Sequence, residues 1–316
     1  MPGGGAALRG RRKRKVDQDM TILVGYPTNR RAKAVLSLAG MLARSSGEDV
    51  VVCIVAVDPR VPGVARDPGF RSYVDVLADN AETQAREDMP KDVPAQFIRF
   101  EARSVPSGLV QAAEQHGAST IVVGSAMGPI ERVTLSSFAD RLLYSSPVPV
   151  AVAIRGFRTV GTVKRVTLAF SGGEQGSVQV AAATNLADHF GAELRLASFA
   201  VHMTPPDVLR DHFEYSSVLD HWTDGMRTAA ADAIKHDATT IQREPELVIG
   251  KGENWEDAID DIDWSPGDLM VIGSSQAGPI SRVFLGSGAA KIVRHSPVPV
   301  LAIPRTAARE LAEESR

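Results

Sequence analysis

The sequence of 316 residues contains one cysteine, few aromatic side chains and no long uninterrupted apolar run. A single cysteine, Cys53, excludes an intrachain disulfide and a cysteine-based zinc cage, and it is typical of a reducing compartment. No run approaches the roughly 18 apolar residues that a membrane span requires. The sequence therefore predicts a cytoplasmic protein that does not cross a bilayer.

Charge of one sign is also lacking, because 38 acidic side chains face 35 basic ones, for a net charge of -3. This balance excludes a whole-surface affinity for nucleic acid or acidic lipid. Residues 1–19 carry a basic run, Arg9–Lys15, without the apolar segment of a secretory signal. We expect a flexible basic tail there. Binding of nucleic acid or anionic lipid by Arg9–Lys15 is disfavoured, since no aromatic residue is interleaved for base stacking.

The chain does contain a long internal repeat. Gly128–Ser137 returns as Gly278–Ser287, and Ser146–Val150 returns as Ser296–Val300, 150 positions later in both cases. An offset of one domain length indicates a duplicated domain. We place the first domain at 20–155, a linker at 156–164, the second domain at 165–305 and a C-terminal tail at 306–316.

Within each half, short β-branched runs alternate with longer amphipathic patterns, which is typical of parallel strands joined by helices. This predicts an α/β fold: two tandem doubly wound domains, each with a five-stranded parallel sheet. The predicted strands are Thr21–Gly25, Asp49–Val57, Ala95–Phe100, Thr120–Gly124 and Val148–Ile154, then Arg165–Phe170, Glu193–Val201, Leu247–Gly250, Leu269–Gly273 and Val298–Ile303. The predicted helices include Arg31–Arg44, Pro106–His116 and Val178–His189.

Ligands of such sheets bind where the carboxyl ends of the strands meet the following loops. In the second half, Gly273 and Ser274 follow the fourth strand, and Gly286, Ser287 and Gly288 precede a helical pattern. Glycine permits a close backbone approach, and a serine hydroxyl at a helix start can contact a phosphate oxygen. Turns that serve only the fold are the plainer alternative.

With these loops and the Ser-Pro-Val-Pro-Val segments, the chain resembles a tandem universal stress protein over nearly everything but the tails. The resemblance implies a Rossmann-like, adenine nucleotide α-hydrolase-like fold and ATP binding through Gly-x2-Gly-x9-Gly-Ser or Thr. The second half keeps Gly273, Gly286 and Ser287 but has Gln276 at the middle position. The first half has Ser136 and Ser137 where the motif ends, so the second half is the better candidate.

The aspartate that this family carries after the first strand is missing from both halves. Loss of one such contact weakens affinity by about tenfold without abolishing binding. In the second half we expect the nucleotide to contact phosphate-facing, ribose-facing and adenine-flanking groups. These are Gly273, Ser274, Gly286, Ser287 and Gly288 for the phosphates, Ser171 and Gly172 for the ribose, and Ala200 and Val201 for adenine.

Other chemistry has little support in the sequence. His202, His212 and His221 lack the spacing of metal ligands on a helix face, and the acids of 253–263 are typical of a solvated helix. Cys53 lies in an apolar strand where a thiol is inert, and no nucleophile elbow occupies a strand-to-helix turn. We therefore expect no metal site. The sequence favours a non-catalytic protein over an enzyme.

The resemblance also implies that the last strands of the two domains pair with each other within the chain, while a further homodimer stays open. The hypothesis is a non-enzymatic stress-response regulator whose second domain binds ATP. One alternative is an interaction or scaffold module that has lost nucleotide binding. A second alternative is a slow ATPase.

Overall fold

A computed structural model describes residues 20–57, 68–125, 137–173, 175–201, 215–236, 245–273 and 287–313. Strands and helices alternate along these ranges. The strands are β1 (Thr21–Gly25), β2 (Asp49–Val57), β3 (Ala95–Ala102), β4 (Ala118–Gly124), β5 (Val150–Ala153), β6 (Arg165–Ala169), β7 (Glu193–Val201), β8 (Glu246–Gly252), β9 (Asp268–Gly273) and β10 (Val300–Ile303). The helices are α1 (Lys33–Ser46), α2 (Pro68–Asp88), α3 (Val105–Gln115), α4 (Ser137–Ser145), α5 (Gly176–Phe190), α6 (Tyr215–His236), α7 (Trp255–Asp260), α8 (Ser287–His295) and α9 (Arg305–Glu313).

The ten strands form one sheet in the order β3-β2-β1-β4-β5-β10-β9-β6-β7-β8. Within each half all pairings are parallel, and the strand order is the same in both halves. The predicted α/β fold with two doubly wound five-stranded units is thus confirmed. Within the sheet, the halves are joined by the antiparallel pairing of β5 with β10, where Val300 pairs with Val152 and Ala302 with Val150. This is the pairing of last strands that the sequence predicted.

Alternate residues of each strand enter two different cores. Ile22 and Val24 lie in one buried cluster with α1, α2, α5, α6 and α9, whereas Leu23 lies in a second cluster with α3, α4, α7 and α8. Both clusters contain residues from both halves of the chain. The strands are therefore buried on both faces, which explains their nearly continuous apolar sequences.

The repeated Ser-Pro-Val-Pro-Val segments have a structural role in both halves. The Ser146 hydroxyl donates to the Val148 carbonyl (2.6 Å) and accepts from the Val148 amide (3.2 Å). Ser296 makes the same pair of bonds with Val298. These serine turns hold the chain before the last strand, so β5 and β10 begin two residues later than the sequence predicted.

A close approach between helix and strand requires a glycine in each half. The glycine lies on the helix in the first half and on the strand in the second. In the first half, a Cβ on Gly108 of α3 would lie 2.7 Å from Val55 and 2.9 Å from the Ala102 Cβ. In the second half, a Cβ on Gly250 of β8 would lie 1.9 Å from the Ala258 carbonyl oxygen of α7. Gly108 and Ala258 occupy equivalent helix positions, since the offset of the repeat is 150 residues.

A buried charged cluster lies at the amino ends of β6, β7 and β9. Asp268, 1% exposed, accepts hydrogen bonds from the Arg165 guanidinium at 2.6 and 3.1 Å. The Arg195 guanidinium stacks over the Trp264 ring at 4.8 Å and donates to the Asp263 carbonyl at 2.8 Å. Burial lowers the pKa of Arg195. The cluster lies at the opposite edge of the sheet from the predicted ligand loops, so we assign it to the fold.

The C-terminal segment differs from the sequence prediction. Residues 306–316 are expected as a tail, but Arg305–Glu313 forms α9, which packs on α5 through Ala308 and a hydrogen bond from the Asn185 amide to the Leu311 carbonyl. Ala307, Ala308 and Leu311 make the apolar contact. Three apolar residues in a short, mostly polar segment are too few to predict a packed helix from the sequence. The basic segment Arg9–Lys15 lies outside the described residues.

Candidate functional site

Each half of the sheet has one point where the strand order reverses, between β1 and β4 in the first half and between β6 and β9 in the second. The loops after the two central strands leave towards opposite faces at such a point and open a crevice between them. The second-half site that the sequence predicts is therefore expected at the carboxyl ends of β6 and β9.

The chain leaves β6 through a fixed residue, Phe170. Its amide donates to the Ala197 carbonyl (2.8 Å), its carbonyl accepts from the Ser198 hydroxyl (2.7 Å), and it is 3% exposed. The ring packs into the core below Gly176, where an added Cβ would lie 3.2 Å from it. Phe170 is thus turned into the helix-covered core.

Two glycines follow Phe170 in the left-handed region that favours this residue. Gly172 has φ +70° and Gly173 has φ +85°. A Cβ on Gly172 would meet Met226 of α6 at 3.4 Å, whereas a Cβ on Gly173 would meet nothing within 4 Å. L side chains rarely adopt these φ values, so the turn after Phe170 requires glycine at both positions. The side chain of Ser171 before them is exposed.

The far wall of the crevice is the end of β9. A Cβ on Gly273 would lie 2.7 Å from the Gln179 Nε2, so the carboxamide of this α5 residue lies directly beside the bare backbone. No hydrogen bond joins the half-buried Gln179 side chain to another part of the chain that the structure describes. A free amide donor and acceptor therefore faces the switch point. Gln179 is not among the residues predicted from the sequence, although a polar residue between Val178 and Val180 in an apolar pattern is a usable signal.

The remaining predicted residues fall into three groups. Ala200 and Val201 end β7 beside β6, Ala200 buried and Val201 half-buried, at the same sheet edge as Ser171, Gly172 and Gly273. Ser274, Gln276 and Gly286 lie outside the described residues, as does the side chain of Ser287, whose backbone begins α8. Gly288 lies in the first turn of α8 against Trp255, 3.6 Å from where its Cβ would be.

The equivalent crevice of the first half is crossed by a side chain. Arg30, in the loop after β1, donates from Nη2 to the Ser125 carbonyl at the end of β4 (2.8 Å). Tyr26 stands where the second half has Phe170, and its hydroxyl accepts from the Ala32 amide (3.3 Å). Burial raises the pKa of Tyr26. Val35 takes the place of Gln179, 2.9 Å from a Cβ on Gly124. The first half thus lacks the free amide and carries a bridge instead.

In the part of the chain that the structure describes, the other reactive groups do not form a second site. Cys53 is fully buried, and burial raises its pKa to about 12, so the thiol is protonated and inert. Within the described ranges, no group of three or more histidine, cysteine, aspartate or glutamate residues is placed to hold a metal ion. The acids near residue 256 instead begin α7, where the Asn254 side chain caps the Asp257 amide (3.0 Å). Among the same residues, no helix has the length and apolar character of a membrane span.

Fold and crevice together define a class: a tandem pair of doubly wound α/β units joined through their last strands, each with a switch-point crevice. The chain belongs to the universal stress protein family, whose family model matches residues 20–153 and 162–304.

Relatives agree with this assignment. A universal stress protein of Mycobacterium tuberculosis is 34% identical over 296 residues, covering 90% of this chain and all of that protein. A universal stress protein of the same description from Mycobacterium bovis matches to the same extent. Among solved structures, a universal stress protein from Archaeoglobus fulgidus covers 90% of this chain and 96% of its own, with 18% identity and a TM-score of 0.54. At that identity the likeness concerns the fold alone.

Proposed function

We propose that this protein is a cytoplasmic, non-enzymatic stress-response regulator whose second domain binds an adenine nucleotide, ATP, in the crevice between β6 and β9. The observation that carries the proposal is the free carboxamide of Gln179 beside Gly273, at a crevice whose other edge is the positive-φ backbone of Gly172 and Gly173. Bare backbone and neutral amides suit phosphate and ribose oxygens, because amide N–H groups donate without a side chain in the way.

The residues of the proposed site have separate roles. Gly273, with Ser274, Gly286, Ser287 and Gly288, faces the phosphates, while Ser171 and Gly172 face the ribose and Ala200 and Val201 flank the adenine. Gln179 adds a hydrogen bond in place of the missing aspartate. A neutral bond of this kind contributes about 1 kcal/mol net, roughly half of what a charged acceptor gives. We therefore expect weaker binding than an aspartate-containing site would show.

The test is isothermal titration of the full chain with ATP. We expect one nucleotide per chain. Ser171→Asp restores a carboxylate after the first strand of this half, where it can accept from the ribose hydroxyls, and should tighten binding by about tenfold. Asn29→Asp is the matched control, because it adds the same charge to an exposed loop of the first half and should leave affinity unchanged. Two nucleotides per chain, or an equal change of affinity in both variants, would contradict the second-half assignment.

The alternative of an interaction module without nucleotide rests on the same residue. The Gln179 amide occupies space that a phosphate could take, so the crevice could be closed rather than ready. Gln179→Ala separates the two roles: lower ATP affinity identifies a ligand contact, and higher affinity identifies a plug. No binding at about 1 mM ATP by either protein favours the interaction module. Phosphate release over hours, lost in Ser287→Ala, would favour the slow ATPase.

A further inference from the structure

A second, separate cavity of about 250 Å³ lies at the seam between the halves. One wall is the amino edge of the first half, with Ser119, Pro147 and Pro149, and the other is formed by Leu186 of α5 and Leu301 of β10, with α9 closing the end. None of the lining residues belongs to the loops after β6, β7 or β9. The cavity is thus distinct from the proposed nucleotide crevice.

The duplication explains why this cavity exists. Thr21 and Arg165 begin equivalent strands, and the same offset of 144 residues relates Ser45 of α1 to His189 of α5. Beside α1, the linker fills the slot: the Val163 amide donates to the Ser45 hydroxyl (2.8 Å), and the Val163 side chain is 1% exposed. Beside α5, His189 instead lines an open cavity.

The sequence does not repeat this valine before β1. The residue that corresponds to Val163 is Asp19, and the segment before it reads Val16-Asp17-Gln18. A carboxylate is a poor substitute for a buried valine, because burial of an unpaired charge is costly. The apolar slot beside α5 is therefore matched better by a ligand with an apolar body than by the residue at this position.

The polar groups at the cavity select the charge of that molecule. Among the described lining residues, Glu48 and Glu310 carry a negative charge and none is a lysine or arginine. Among the described residues, neither carboxylate has an ion-pair partner; Glu48 accepts one hydrogen bond, from the Ser46 hydroxyl (3.1 Å). The Asn185 amide and the Ser119 hydroxyl are already donating to Leu311 and Thr21 carbonyls. Among the described lining residues, few side chains are left to donate beside the two carboxylates, the His189 imidazole among them, so a ligand that brings its own cationic N–H groups is favoured.

We propose that the seam cavity binds a small primary amine with an apolar body, which contacts both halves at once. The ammonium group lies near Glu48 and Glu310, and the apolar body lies against Leu186, Leu301 and Ile303. A volume of 250 Å³ is below the roughly 300 Å³ from which drug-sized pockets start, so the body is short, of about six carbons.

The experiment titrates the full chain with three probes of equal chain length: hexylamine, hexanol and hexanoate. Binding is followed by calorimetry and by methyl NMR shifts of Leu186, Leu301 and Ile303. We expect hexylamine to bind at least tenfold more tightly than hexanoate, with hexanol between them. Glu48→Gln combined with Glu310→Gln should remove the difference between hexylamine and hexanol, while Glu313→Gln, an exposed charge on the same helix outside the cavity, should leave it intact.

A steric variant provides a second line. Ala307→Phe fills the cavity and should abolish binding of all three probes without a change in the far-ultraviolet circular dichroism. Hexanoate binding as tight as hexylamine, hexylamine binding that survives Ala307→Phe in a folded protein, or unshifted methyl signals at 20 mM hexylamine (about the weakest affinity of interest) would overturn the proposal. Binding that appears only after Arg9, Arg11, Arg12, Lys13, Arg14 and Lys15 are all changed to glutamine would also overturn it, because the basic segment would then be the occupant.

Discussion

The contact between β8 and α7 gives the sharpest prediction for stability. In the structure, a Cβ added to Gly250 would lie 1.9 Å from the Ala258 carbonyl oxygen, where approaches below 3.0 Å force a shift. The obstacle is backbone, which cannot rotate away as a side chain can. Gly250→Ala must therefore move the short helix α7 away from the sheet by about 1 Å or more and loosen the packing of Ala258 and Ile259, both buried.

Overpacking of this kind costs about 1–3 kcal/mol, and we expect the upper end, about 3 kcal/mol, because no rotamer change can relieve it. For a chain of this size unfolding in one transition, that corresponds to a fall in Tm of roughly 4–5 °C. Urea unfolding followed by circular dichroism measures the change. The control is Gly225→Ala in α6, where an added Cβ meets nothing and should stabilise the helix by about 0.5–1 kcal/mol. A loss below 1 kcal/mol for Gly250→Ala, with the control as expected, would refute the close approach.

Four further predictions concern particular groups. Asp268→Asn leaves the half-buried Arg165 and the buried Arg195 without their carboxylate and should cost about 3 kcal/mol in urea unfolding, whereas Asp224→Asn, in an exposed pair, should cost almost nothing. Native Cys53, with its pKa raised to about 12, should react with a thiol reagent at pH 8 only at the rate of unfolding. Arg86 and Arg99 hold the pKa of Glu82 below its ordinary value of 4.5. The stabilising effect of the ionised carboxylate is present above about pH 4.5 and is lost as the pH falls through the lowered pKa. Glu82→Gln should therefore flatten the dependence of the free energy of unfolding on pH across that window. Because both buried clusters span the two halves, calorimetry should show one transition, and two separate transitions would contradict the shared core.

Much of the fold could be predicted from the sequence, because the internal repeat shows that one domain occurs twice. β1, β2 and β7 have the predicted bounds, since β-branched runs such as Val50–Val55 are bounded by polar residues. The last strands begin later than predicted because the Ser146 and Ser296 turns use residues that look like strand. α9 was not predicted as a helix, because only its contact with α5 gives it an apolar face.

The candidate site was predicted less completely. Chain order alone predicts that these residues share one sheet edge, because parallel strands end together, and the structure places them there: Ser171, Gly172, Ala200, Val201 and Gly273. Gln179 and Arg30 were not predicted. Each follows the first strand of its half in sequence, and the fold brings it to a residue at the end of the fourth strand. No local pattern encodes a contact between residues 94 positions apart, such as Gln179 and Gly273.

The duplication itself explains where the two halves differ. One helix–strand contact has its glycine on opposite sides: Gly108 lies on α3 against Ala102 in the first half, whereas Gly252 lies on β8 against Ala258 in the second. The halves also differ at the slots beside α1 and α5. Val163 fills the slot beside α1, whereas a cavity lies beside α5. Duplicated domains in one chain are thus chemically unequal, which is why one crevice and one cavity, rather than two of each, are the candidate binding sites.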